Sequence, residues 1–362
     1  MQKQITPRIK SLGRLLIRTI FIYIVFSLSS CAGDSGPGEP VRRTIQSLGT
    51  IITVTIYDDP KDEYFSESFR IVRKIHDLMS LEVEESDLNR LNRAAGSGRP
   101  IAIDPWTYEV LEEAIHMAEV SDSAFTPAIE PLVSLWDIGG PDQQVPDENQ
   151  VAPLLPLLDY EQIRLYEPED PSSNSPRAEL LTPGMGVDLG GIAKGYAADL
   201  VSNYLKKEGV KHAILDFGGN IMTIGRKTAD RPWIIGLQRP DMQRGVYLGT
   251  LPADDLSIVT SGVYERFFIE DDVRYHHLLD SRDGFPADNR LEGVVIVSDV
   301  SMTADGYSTA VFVKGLEQGK ELVESRNEIE AIFITGDLQV IVSPGLVDQF
   351  TLIDDSFSLG EW

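Results

Sequence analysis

The sequence of 362 residues lacks groups that several classes of protein depend on. It has one cysteine, Cys31, so no disulfide can form within the chain. It has only 32 Lys and Arg against 57 Asp and Glu, which gives a formal net charge of −25 at pH 7. A surface this acidic repels nucleic acid and anionic lipid headgroups, so we expect no nucleic-acid partner. With 42% hydrophobic and 25% charged residues, the composition is otherwise that of an ordinary globular protein.

The N-terminus has the organisation of an export signal. Residues 1–18 contain five bases and no acid, and the apolar stretch 20–26 is too short to span a bilayer as a permanent helix. Residues 28–31, Leu-Ser-Ser-Cys, have the form of a lipobox, in which a branched apolar residue and two small residues precede a cysteine. This pattern predicts cleavage before Cys31 and attachment of a lipid to its thiol. The alternative is an uncleaved anchor with an incidental cysteine.

These features predict the domain organisation and the location of the protein. Residues 1–30 are expected to be a lipoprotein signal peptide, and residues 31–45 a flexible tether that is rich in Gly, Pro and acid. Residues 46–356 are expected to form one globular catalytic domain. Because each buried CH₂ contributes about 0.8 kcal/mol, two or three acyl chains on Cys31 anchor a protein stably. We therefore expect an exported protein, held by its lipid to a bacterial membrane and facing the periplasm or the cell exterior.

The spacing of apolar residues predicts both helices and strands in the globular part. Alternating apolar and β-branched residues predict strands, and apolar stripes at a spacing of three or four predict helices. The predicted strands cover residues 49–57, 212–217, several segments between 233 and 269, 293–297, 331–335 and 339–342. The predicted helices cover residues 66–79, 108–120, 193–207, 302–313 and 317–325. The order of these elements is mixed and lacks the regular βαβ cadence of a doubly wound sheet.

Residues 186–195 place the carboxylate of Asp188 and two glycines just before a predicted helix. Gly190 and Gly191 allow a ligand to approach the backbone where a Cβ would clash, and the helix N-terminus presents unpaired N–H groups. Lys194, in the first turn, adds a cation to the same region, which suits a phosphate or a nucleotide. The alternative is a tight strand-to-helix turn that binds no ligand.

Asp305 and Thr309 lie at the start of another predicted helix and share one of its faces, because they are four positions apart. A carboxylate and a hydroxyl are hard oxygen ligands of the kind that bind Mg²⁺ together with substrate phosphates. The alternative is that Asp305 caps the helix N-terminus and the Thr309 hydroxyl bonds to a backbone carbonyl.

Two of the five histidines, His276 and His277, are adjacent at the end of a predicted strand. Neighbouring residues on a strand point to opposite faces, so at most one of them faces a site. No Cys or third His lies at ligand spacing, and a zinc site is not expected. One histidine is then available as an acid, a base or a phosphate contact, with Asp280 as a second candidate base. The alternative is a pair of surface histidines.

Five motifs follow one another in a fixed order along the chain. They are Asp188-Leu-Gly-Gly-Ile-Ala-Lys-Gly-Tyr-Ala-Ala-Asp199, Asp216-Phe-Gly-Gly-Asn220, Thr260-Ser-Gly-x-Tyr-Glu-Arg266, His277-Leu-Leu-Asp-x-Arg-x-Gly-x-Pro286 and Thr303-Ala-Asp-x-x-Ser-Thr-Ala310. In this order they resemble the ApbE family of FAD:protein FMN transferases. The likeness runs from about residue 47 to residue 353, and the lipobox agrees with it because many members are lipoproteins.

The resemblance implies an α+β fold, in which mixed and antiparallel sheets are flanked by helices and FAD lies in a cleft between two lobes. It implies an enzyme that moves the FMN part of FAD onto a threonine of an acceptor protein, with Mg²⁺ at the pyrophosphate, and releases AMP. The acceptor in the family is typically a subunit of a membrane redox pump. Three alternatives stay open: an FAD pyrophosphatase, an exported lipoprotein that only binds flavin, and the binding protein of a solute importer.

The resemblance also implies roles for individual residues. His277 and Asp305 resemble catalytic-site residues of the family. Asp305, Thr309 and the backbone carbonyl of Gly191 resemble Mg²⁺ ligands, and Ser308 stands where some members have a second Asp ligand. The residues implied to contact FAD are Leu48, Ala124, Phe125, Thr126, Asp188, Lys194 and Leu279.

One position departs from the family pattern. Relatives often have an aromatic residue two positions after the serine that corresponds to Ser80, where it contacts the flavin or the adenine. This chain has Glu82 there. Either another residue such as Trp136 supplies the missing ring, or the ring of the bound FAD is held less firmly.

Overall fold

The structure is a computed structural model that describes residues 39–168 and 175–362. The predicted signal peptide, the lipidation site Cys31 and most of the predicted tether lie outside the described residues. Within these two ranges no helix is both long enough and apolar enough to cross a membrane. The described residues all belong to the compact unit Gly36–Trp362.

Helices and strands are interleaved along the described chain. The α-helices are α1 (Asp62–Met79), α2 (Asp87–Arg93), α3 (Pro105–Val120), α4 (Glu130–Trp136), α5 (Glu148–Val151), α6 (Ala193–Lys207) and α7 (Ser301–Glu324). The strands are β1 (Val41–Ser47), β2 (Thr50–Ile56), β3 (Ile101–Ala102), β4 (Ile163–Tyr166), β5 (Arg177–Leu180), β6 (Ala213–Phe217), β7 (Asn220–Ile224), β8 (Trp233–Gln238), β9 (Tyr247–Ala253), β10 (Ser257–Gly262), β11 (Phe267–Glu270), β12 (Val273–His276), β13 (Leu291–Ser298), β14 (Glu330–Thr335), β15 (Gln339–Val342), β16 (Thr351–Leu352) and β17 (Ser358–Leu359). Short 3₁₀ turns lie at Pro127–Ile129, Leu155–Leu157 and Tyr160–Gln162.

Nine strands form the central sheet, in the order β1-β2-β6-β7-β10-β13-β14-β15-β17. Every neighbouring pair in it is antiparallel except β15 and β17, which are parallel. Smaller sheets are formed by β16-β9-β8, by β3-β5-β4 and by the hairpin β11-β12. Helices packed on mixed and antiparallel sheets confirm the expected α+β class.

The central sheet is buried on both faces, as the sequence of β13 shows. Val294 and Ile296 belong to the apolar core that includes α1, α3, α6 and α7. Val295 and Val297 belong to a second core, formed with β8 and β9. Because alternate residues of a strand point to opposite faces, a strand buried on both sides is apolar throughout. The two helices that carry the predicted site, α6 and α7, therefore pack on the same face of the sheet.

Strand β1 starts inside the predicted tether. It pairs with β2 along its whole length, so residues 41–45 belong to the sheet and the domain begins before residue 46. The strand was missed because it lies at the edge of the sheet, where Arg42, Arg43 and Thr44 are exposed and break the apolar alternation.

The two helices predicted at 302–313 and 317–325 form one helix, α7, that is broken at Gly315, where φ is 75°. A Cβ at this position would lie 3.1 Å from Asn289 Cβ. The Asn289 side-chain amide donates to the carbonyl of Phe312, which closes the first segment as a cap would. Asp305 and Thr309 both lie in this first, regular segment.

Candidate active site

Asp305 lies in the second turn of α7 and is only 3% exposed. Its Oδ2 accepts the backbone N–H of Gly195 at 2.9 Å, and Lys194 Nζ lies 3.2 Å from Oδ1 and 3.3 Å from Oδ2. Burial raises the pKa of Asp305, and the Lys194 ammonium acts in the opposite direction. Since Asp305 lies beyond the first turn, it does not cap the helix. The capping alternative is therefore wrong.

The cap of α7 comes from the neighbouring helix α6. The two carboxylate oxygens of Asp199 accept the backbone N–H groups of Ser301 and Met302, each at 2.8 Å. Burial raises the pKa of Asp199 to about 6, although the two N–H donors lower it. Asp199 closes the first motif of the sequence. Its role was not predicted because the N–H groups that it caps lie 102 and 103 residues further along the chain.

Gly195 allows α6 and α7 to approach closely at this point. A Cβ on Gly195 would lie 2.3 Å from the carbonyl oxygen of Ser301 and 2.6 Å from Met302 Cα. Backbone atoms cannot move aside as the end of a flexible side chain can, so this position requires glycine. The close approach brings Lys194 within reach of Asp305.

The segment before α6 is held by its own hydrogen bonds. Asp188 Oδ1 accepts the N–H of Gly190 at 2.6 Å, and the Asp188 N–H donates to the carbonyl of Pro127 at 2.9 Å. Lys194 Nζ donates to the Gly190 carbonyl at 3.0 Å in addition to its contact with Asp305. The predicted nucleotide residues Asp188 and Lys194 therefore lie on one ordered turn that leads to the metal-site candidate Asp305.

Gly191, Thr309 and Phe125 lie together. A Cβ on Gly191 would lie 3.5 Å from Thr309 Oγ1 and 3.1 Å from the Phe125 ring. In a longer helix the Gly195 N–H would bond to the Gly191 carbonyl. Here it donates to Asp305 instead, so that carbonyl stays outside the helical hydrogen-bond ladder.

The three predicted ligands have the donor types that suit a magnesium ion. The Asp305 carboxylate, the Thr309 hydroxyl and the Gly191 carbonyl are hard donors, and Mg²⁺ takes its further ligands from water and substrate phosphates. Among the described residues there is no group of three or more His, Cys, Asp or Glu side chains that could hold a metal. The fit is therefore to an ion that shares its coordination with a bound substrate.

The fourth predicted ligand, Ser308, has a hydroxyl that is already engaged. Its Oγ donates to the backbone carbonyl of Asp305 at 2.7 Å and lies 2.8 Å from Ser261 Oγ. Ser308 is 1% exposed. These contacts tie α7 to β10, which gives Ser308 a structural role.

The second and third of the five motifs meet beside Lys194. A Cβ on Gly219 would lie 3.9 Å from Glu265 Oε1. Burial raises the pKa of Glu265, the cations Arg244 and Lys194 lower it, and Asp216 raises it. The turn after β6 and the segment after β10 thus form one charged cluster with the start of α6. Glu265 belongs to the third motif, and its position in the sequence alone predicts no role for it.

Leu48 lies at the end of the central sheet where β6 finishes. Leu48 and Gly49 form the two-residue turn between β1 and β2, with φ of 51° and 68°. Two consecutive positive φ values are typical of a type I′ hairpin. This hairpin packs on the turn after β6, because a Cβ on Gly218 would lie 2.0 Å from Thr50 Oγ1.

The loop of Ala124, Phe125 and Thr126 is joined to the loop that carries Leu279. Ser281 Oγ donates to the carbonyl of Ser123 at 2.7 Å. Phe125 is buried beside Gly191, and the Thr126 hydroxyl accepts the backbone N–H at position 128. The two loops that carry these predicted FAD contacts are therefore joined, and Phe125 brings the first of them against the segment before α6.

Trp136 does not supply the missing aromatic ring. It is fully buried in a small core with Leu279, and its indole N–H donates to the carbonyl of Gly284 at 2.8 Å. Its ring packs against Tyr275 and Phe285. With both its surface and its N–H group occupied, Trp136 has nothing left with which to stack on a flavin.

The structure separates the roles of the two adjacent histidines. His276 is buried with its ring edge-to-face against Phe312. The Nδ1 of His277 lies 3.1 Å from the carbonyl oxygen of Arg266, so Nδ1 carries the proton and Nε2 is able to accept one. Burial lowers the pKa of His277, and the cations of Arg266 and Lys194 lower it further. His277 is therefore a neutral base at pH 7, close enough to Lys194 to feel its charge.

Asp280, the second candidate base, is not free. Its carboxylate accepts the backbone N–H and the guanidinium of Arg282. Its carbonyl accepts the Gly284 N–H at 2.7 Å and its N–H donates to Phe285 at 2.8 Å. Asp280 therefore builds the turn that follows His277, and the structure removes it as a candidate base.

Further polar contacts that hold the site were not predicted. The Asn92 side-chain amide bonds both the N–H and the carbonyl of Val187, at 2.8 and 3.0 Å. Ser301 Oγ donates to Asn220 Oδ1 at 2.8 Å and accepts from Ser257 at 2.9 Å. Each contact joins residues that are far apart in the chain, so no local pattern reveals it.

Comparison with known proteins shows the family of the chain. The ApbE family model matches residues 48–333. The chain is 34% identical over 312 residues to the FAD:protein FMN transferase of Klebsiella pneumoniae (strain 342), which covers 86% of this chain and 94% of that protein. It is also 34% identical over 353 residues to the protein of the same name from Treponema pallidum (strain Nichols), with coverages of 94% and 96%.

Solved structures share the fold. The ApbE protein of Thermotoga maritima matches with a TM-score of 0.77 at 25% identity and covers 85% of this chain and 98% of its own. The flavin transferase ApbE from Vibrio cholerae matches with a TM-score of 0.72 at 29% identity, with coverages of 89% and 99%. Together with these matches, fold and site define an enzyme of the transferase class. The chain belongs to the ApbE family.

Proposed function

We propose that the protein transfers the FMN part of FAD to a threonine hydroxyl of an acceptor protein and releases AMP. Relatives that are 34% identical over most of the chain are named FAD:protein FMN transferase. In this chain the proposal depends above all on the junction of α6 and α7, where Lys194 and the Gly195 N–H converge on the buried carboxylate of Asp305.

The charge around this junction suits an anionic substrate. The chain as a whole carries −25, yet Lys194, Arg244 and Arg266 gather near Glu265 and His277. These cations lie among the carboxylates of Glu265, Asp216 and Asp305, and they place positive charges beside the site to which the pyrophosphate of FAD can bind. The N-terminus of α6 adds its positive dipole end, while its Ala193 and Gly195 N–H groups are bonded within the protein, to the Leu189 carbonyl and to Asp305.

Asp305, Thr309 and the Gly191 carbonyl would hold Mg²⁺, and the ion would neutralise charge on the phosphoryl oxygens. Lys194 would hold Asp305 in place and contribute its own charge to the pyrophosphate. Nε2 of His277 would accept the proton of the acceptor hydroxyl while its Nδ1–H stays bonded to Arg266.

The proposed reaction is a single phosphoryl transfer. The threonine oxygen forms a bond to the phosphorus on the FMN side of the pyrophosphate, and the bond from that phosphorus to the bridging oxygen breaks. AMP leaves with the bridging oxygen, and the proton of the threonine hydroxyl goes to His277. Such chemistry depends mainly on positioning and on electrostatic stabilisation, which the fixed turn before α6 provides.

The transfer is tested by incubating the full chain with FAD, Mg²⁺ and the acceptor protein of the Klebsiella pneumoniae or the Vibrio cholerae relative. We expect flavin fluorescence on the acceptor after a denaturing gel and an equal amount of AMP by chromatography. An acceptor in which the flavinylated threonine is replaced by valine should receive no flavin. AMP formed at the same rate without acceptor identifies an FAD pyrophosphatase, and FAD binding without AMP identifies a flavin carrier.

The location of the protein is part of the proposal. The lipobox at residues 28–31 supports export and a lipid anchor on Cys31 that holds the enzyme at a bacterial membrane. In cells, the wild type should take up labelled fatty acid, lose residues 1–30 and sediment with membranes, and Cys31→Ser should take up no fatty acid and keep residues 1–30. A wild-type protein that sediments with membranes, keeps residues 1–30 and takes up no fatty acid would indicate an uncleaved anchor.

A further inference from the structure

The hairpin of β11 and β12 stands apart from the other sheets. No third strand pairs with it on either side within residues 39–168 and 175–362. Asp271 and Asp272 form its turn, with φ of 49° and 62°, as in a type I′ hairpin. On its inner face Phe268 stacks on Tyr275 at 5.4 Å, over the small core that also contains Trp136. The hairpin is therefore a fixed element with unpaired edges.

The register shows which backbone groups are unpaired on β11. A two-residue turn makes the pair that flanks it hydrogen-bonded, and the pairs then alternate along the strands. Phe267 and Ile269 fall at the non-hydrogen-bonded positions, so their N–H and carbonyl groups point away from β12. The bond from the His277 N–H to the Arg266 carbonyl continues the same alternation.

The side chains of this hairpin are unusually apolar for an exposed position. Ile269 is 62% exposed, and Phe267 is 38% exposed with the Arg274 guanidinium 4.9 Å from its ring centroid. Val273, on the opposite face of the hairpin, is 49% exposed. The tip between them is acidic, because Glu270, Asp271 and Asp272 are all exposed. An open edge that carries large apolar side chains is a template for pairing with another strand.

The base of the hairpin lies at the candidate active site. Strand β11 starts directly after Arg266, and β12 leads into His277. The charge of Lys194 lowers the pKa of His277. The charge of Lys194 also lowers the pKa of Glu265, the residue before Arg266. An extended segment laid along β11 advances about 3.4 Å per residue, so its residues beyond Phe267 pass toward these groups.

We propose that β11 is the edge on which the acceptor protein docks. An extended segment of the acceptor adds a strand to Phe267–Glu270, lays apolar side chains over Phe267 and Ile269, and directs a basic group toward the acidic tip. Main-chain hydrogen bonds supply affinity, and the direction of the added acceptor strand places a threonine next to His277. The inference rests on the proposed function, because the partner is the acceptor of that reaction.

The decisive variant is Ile269→Pro, which removes the outward N–H of β11. Proline is tolerated at a position of an edge strand that donates no bond within the sheet, so the hairpin should persist. The matched variant Ile269→Ser keeps the N–H and loses the apolar side chain. The control is Ile234→Ser on β8, an edge strand of a different sheet where the side chain is 61% exposed.

The measurement is the Kd of the Klebsiella pneumoniae acceptor protein for each full-length variant, without FAD. We expect Ile269→Pro to weaken binding at least tenfold, Ile269→Ser to weaken it a few-fold, and Ile234→Ser to leave it unchanged. The Kd for FAD and the Tm should not change in any of them. Equal acceptor affinity of Ile269→Pro and the wild type overturns the docking edge, as does an acceptor that does not bind the wild type.

A second variant keeps the proposal testable if Ile269→Pro fails to fold. Replacing both Asp271 and Asp272 by Asn preserves the positive φ values of the turn and removes its charge. In the wild type, added salt should weaken acceptor binding, and in the double variant this dependence should shrink. An unchanged salt dependence together with full affinity of Ile269→Ser contradicts the proposal.

These experiments distinguish a failure of the docking proposal from a failure of the proposed function. If the wild type binds the acceptor through β11 but forms no flavin adduct, the proposed function is wrong and the docking edge stands. If every variant transfers FMN with the KM of the wild type for the acceptor, the function stands and the docking edge is wrong.

Discussion

Gly195 and Asp305 are joined by a hydrogen bond of 2.9 Å from the backbone N–H of one to the carboxylate of the other, across 110 residues of sequence. This bond fixes the first turn of α6 to the start of α7. It makes the predicted nucleotide motif and the predicted metal motif a single structural unit, in which a displacement of either helix changes the geometry of both.

Replacing Gly195 by alanine should destabilise the protein. The new Cβ would lie 2.3 Å from the Ser301 carbonyl, and overpacking of this kind costs about 1–3 kcal/mol or more. Urea unfolding at pH 7 gives the free energy. The matched control is Gly306→Ala in α7, whose Cβ would meet the flexible end of Met117 at 3.0 Å and which gains helix propensity. Equal stability of the two variants would contradict the close approach of the helices.

Replacing Lys194 by methionine should cost both stability and FAD affinity. The change leaves the Asp305 carboxylate buried without its cation, and breaking a buried pair costs roughly 3–5 kcal/mol. The control is Lys206→Met at the other end of α6. Its partner Asp255 is half exposed, so the loss should stay below about 1 kcal/mol. Adding Asp305→Asn to Lys194→Met should restore stability but not transfer, and a double-mutant cycle that shows no coupling would contradict the pairing.

Asp199 should make stability depend on pH between about 4 and 6. Its folded pKa of about 6 lies above the ordinary value, so the folded state binds this proton more tightly than the unfolded state does. The resulting stabilisation is present at acidic pH and is lost as the pH rises through about 6. Relative to Asp199→Asn, the wild type should therefore lose roughly 2–3 kcal/mol of unfolding free energy between pH 4 and pH 7. A parallel pair of stability curves would contradict the raised pKa.

His277 should stay active below the pH at which an ordinary histidine is protonated. Because its pKa is lowered, the neutral ring persists as the pH falls through 6.5, and His277 should impose no loss of transfer rate there. His277→Ala should lower kcat by about 10²–10⁴-fold and leave the Kd for FAD unchanged. Rescue of this variant by added imidazole would support proton transfer. An unchanged kcat would leave the ring without a role in the chemistry.

Elements with a strong internal period were predictable from the sequence. The apolar stripes of α1, α3 and α6 and the alternation of β2 are local signals, and the structure confirms all four elements. The strands β1, β3, β16 and β17 were missed because they are short or lie at an edge with polar positions exposed. The central strand β7 was missed because its five residues, Asn-Ile-Met-Thr-Ile, are too few to show a clear alternation. The short helix α2 was also missed, because a helix of seven residues is too short to show a clear period.

In the candidate site, too, residues in local motifs were predictable and residues held by tertiary contacts were not. Asp188, Lys194, Asp305 and Thr309 stand in motifs where residue type and spacing suggest chemistry, and the structure brings them to one junction. The cap by Asp199 and the contact of Ser261 with Ser308 depend on which helix packs against which strand. The engagement of Trp136 and of Asp280 likewise follows from tertiary packing, so no reading of spacing alone reveals it.

The break at Gly315 uncouples the directions in which the side chains of the two halves of α7 point. In an unbroken helix each residue turns the chain by about 100°, so the direction of Leu322 and Val323 would be locked to that of Asp305 and Thr309. The positive φ of Gly315 removes this constraint. During evolution the second half can therefore change length or repack against the core without rotating the functional face of the first half.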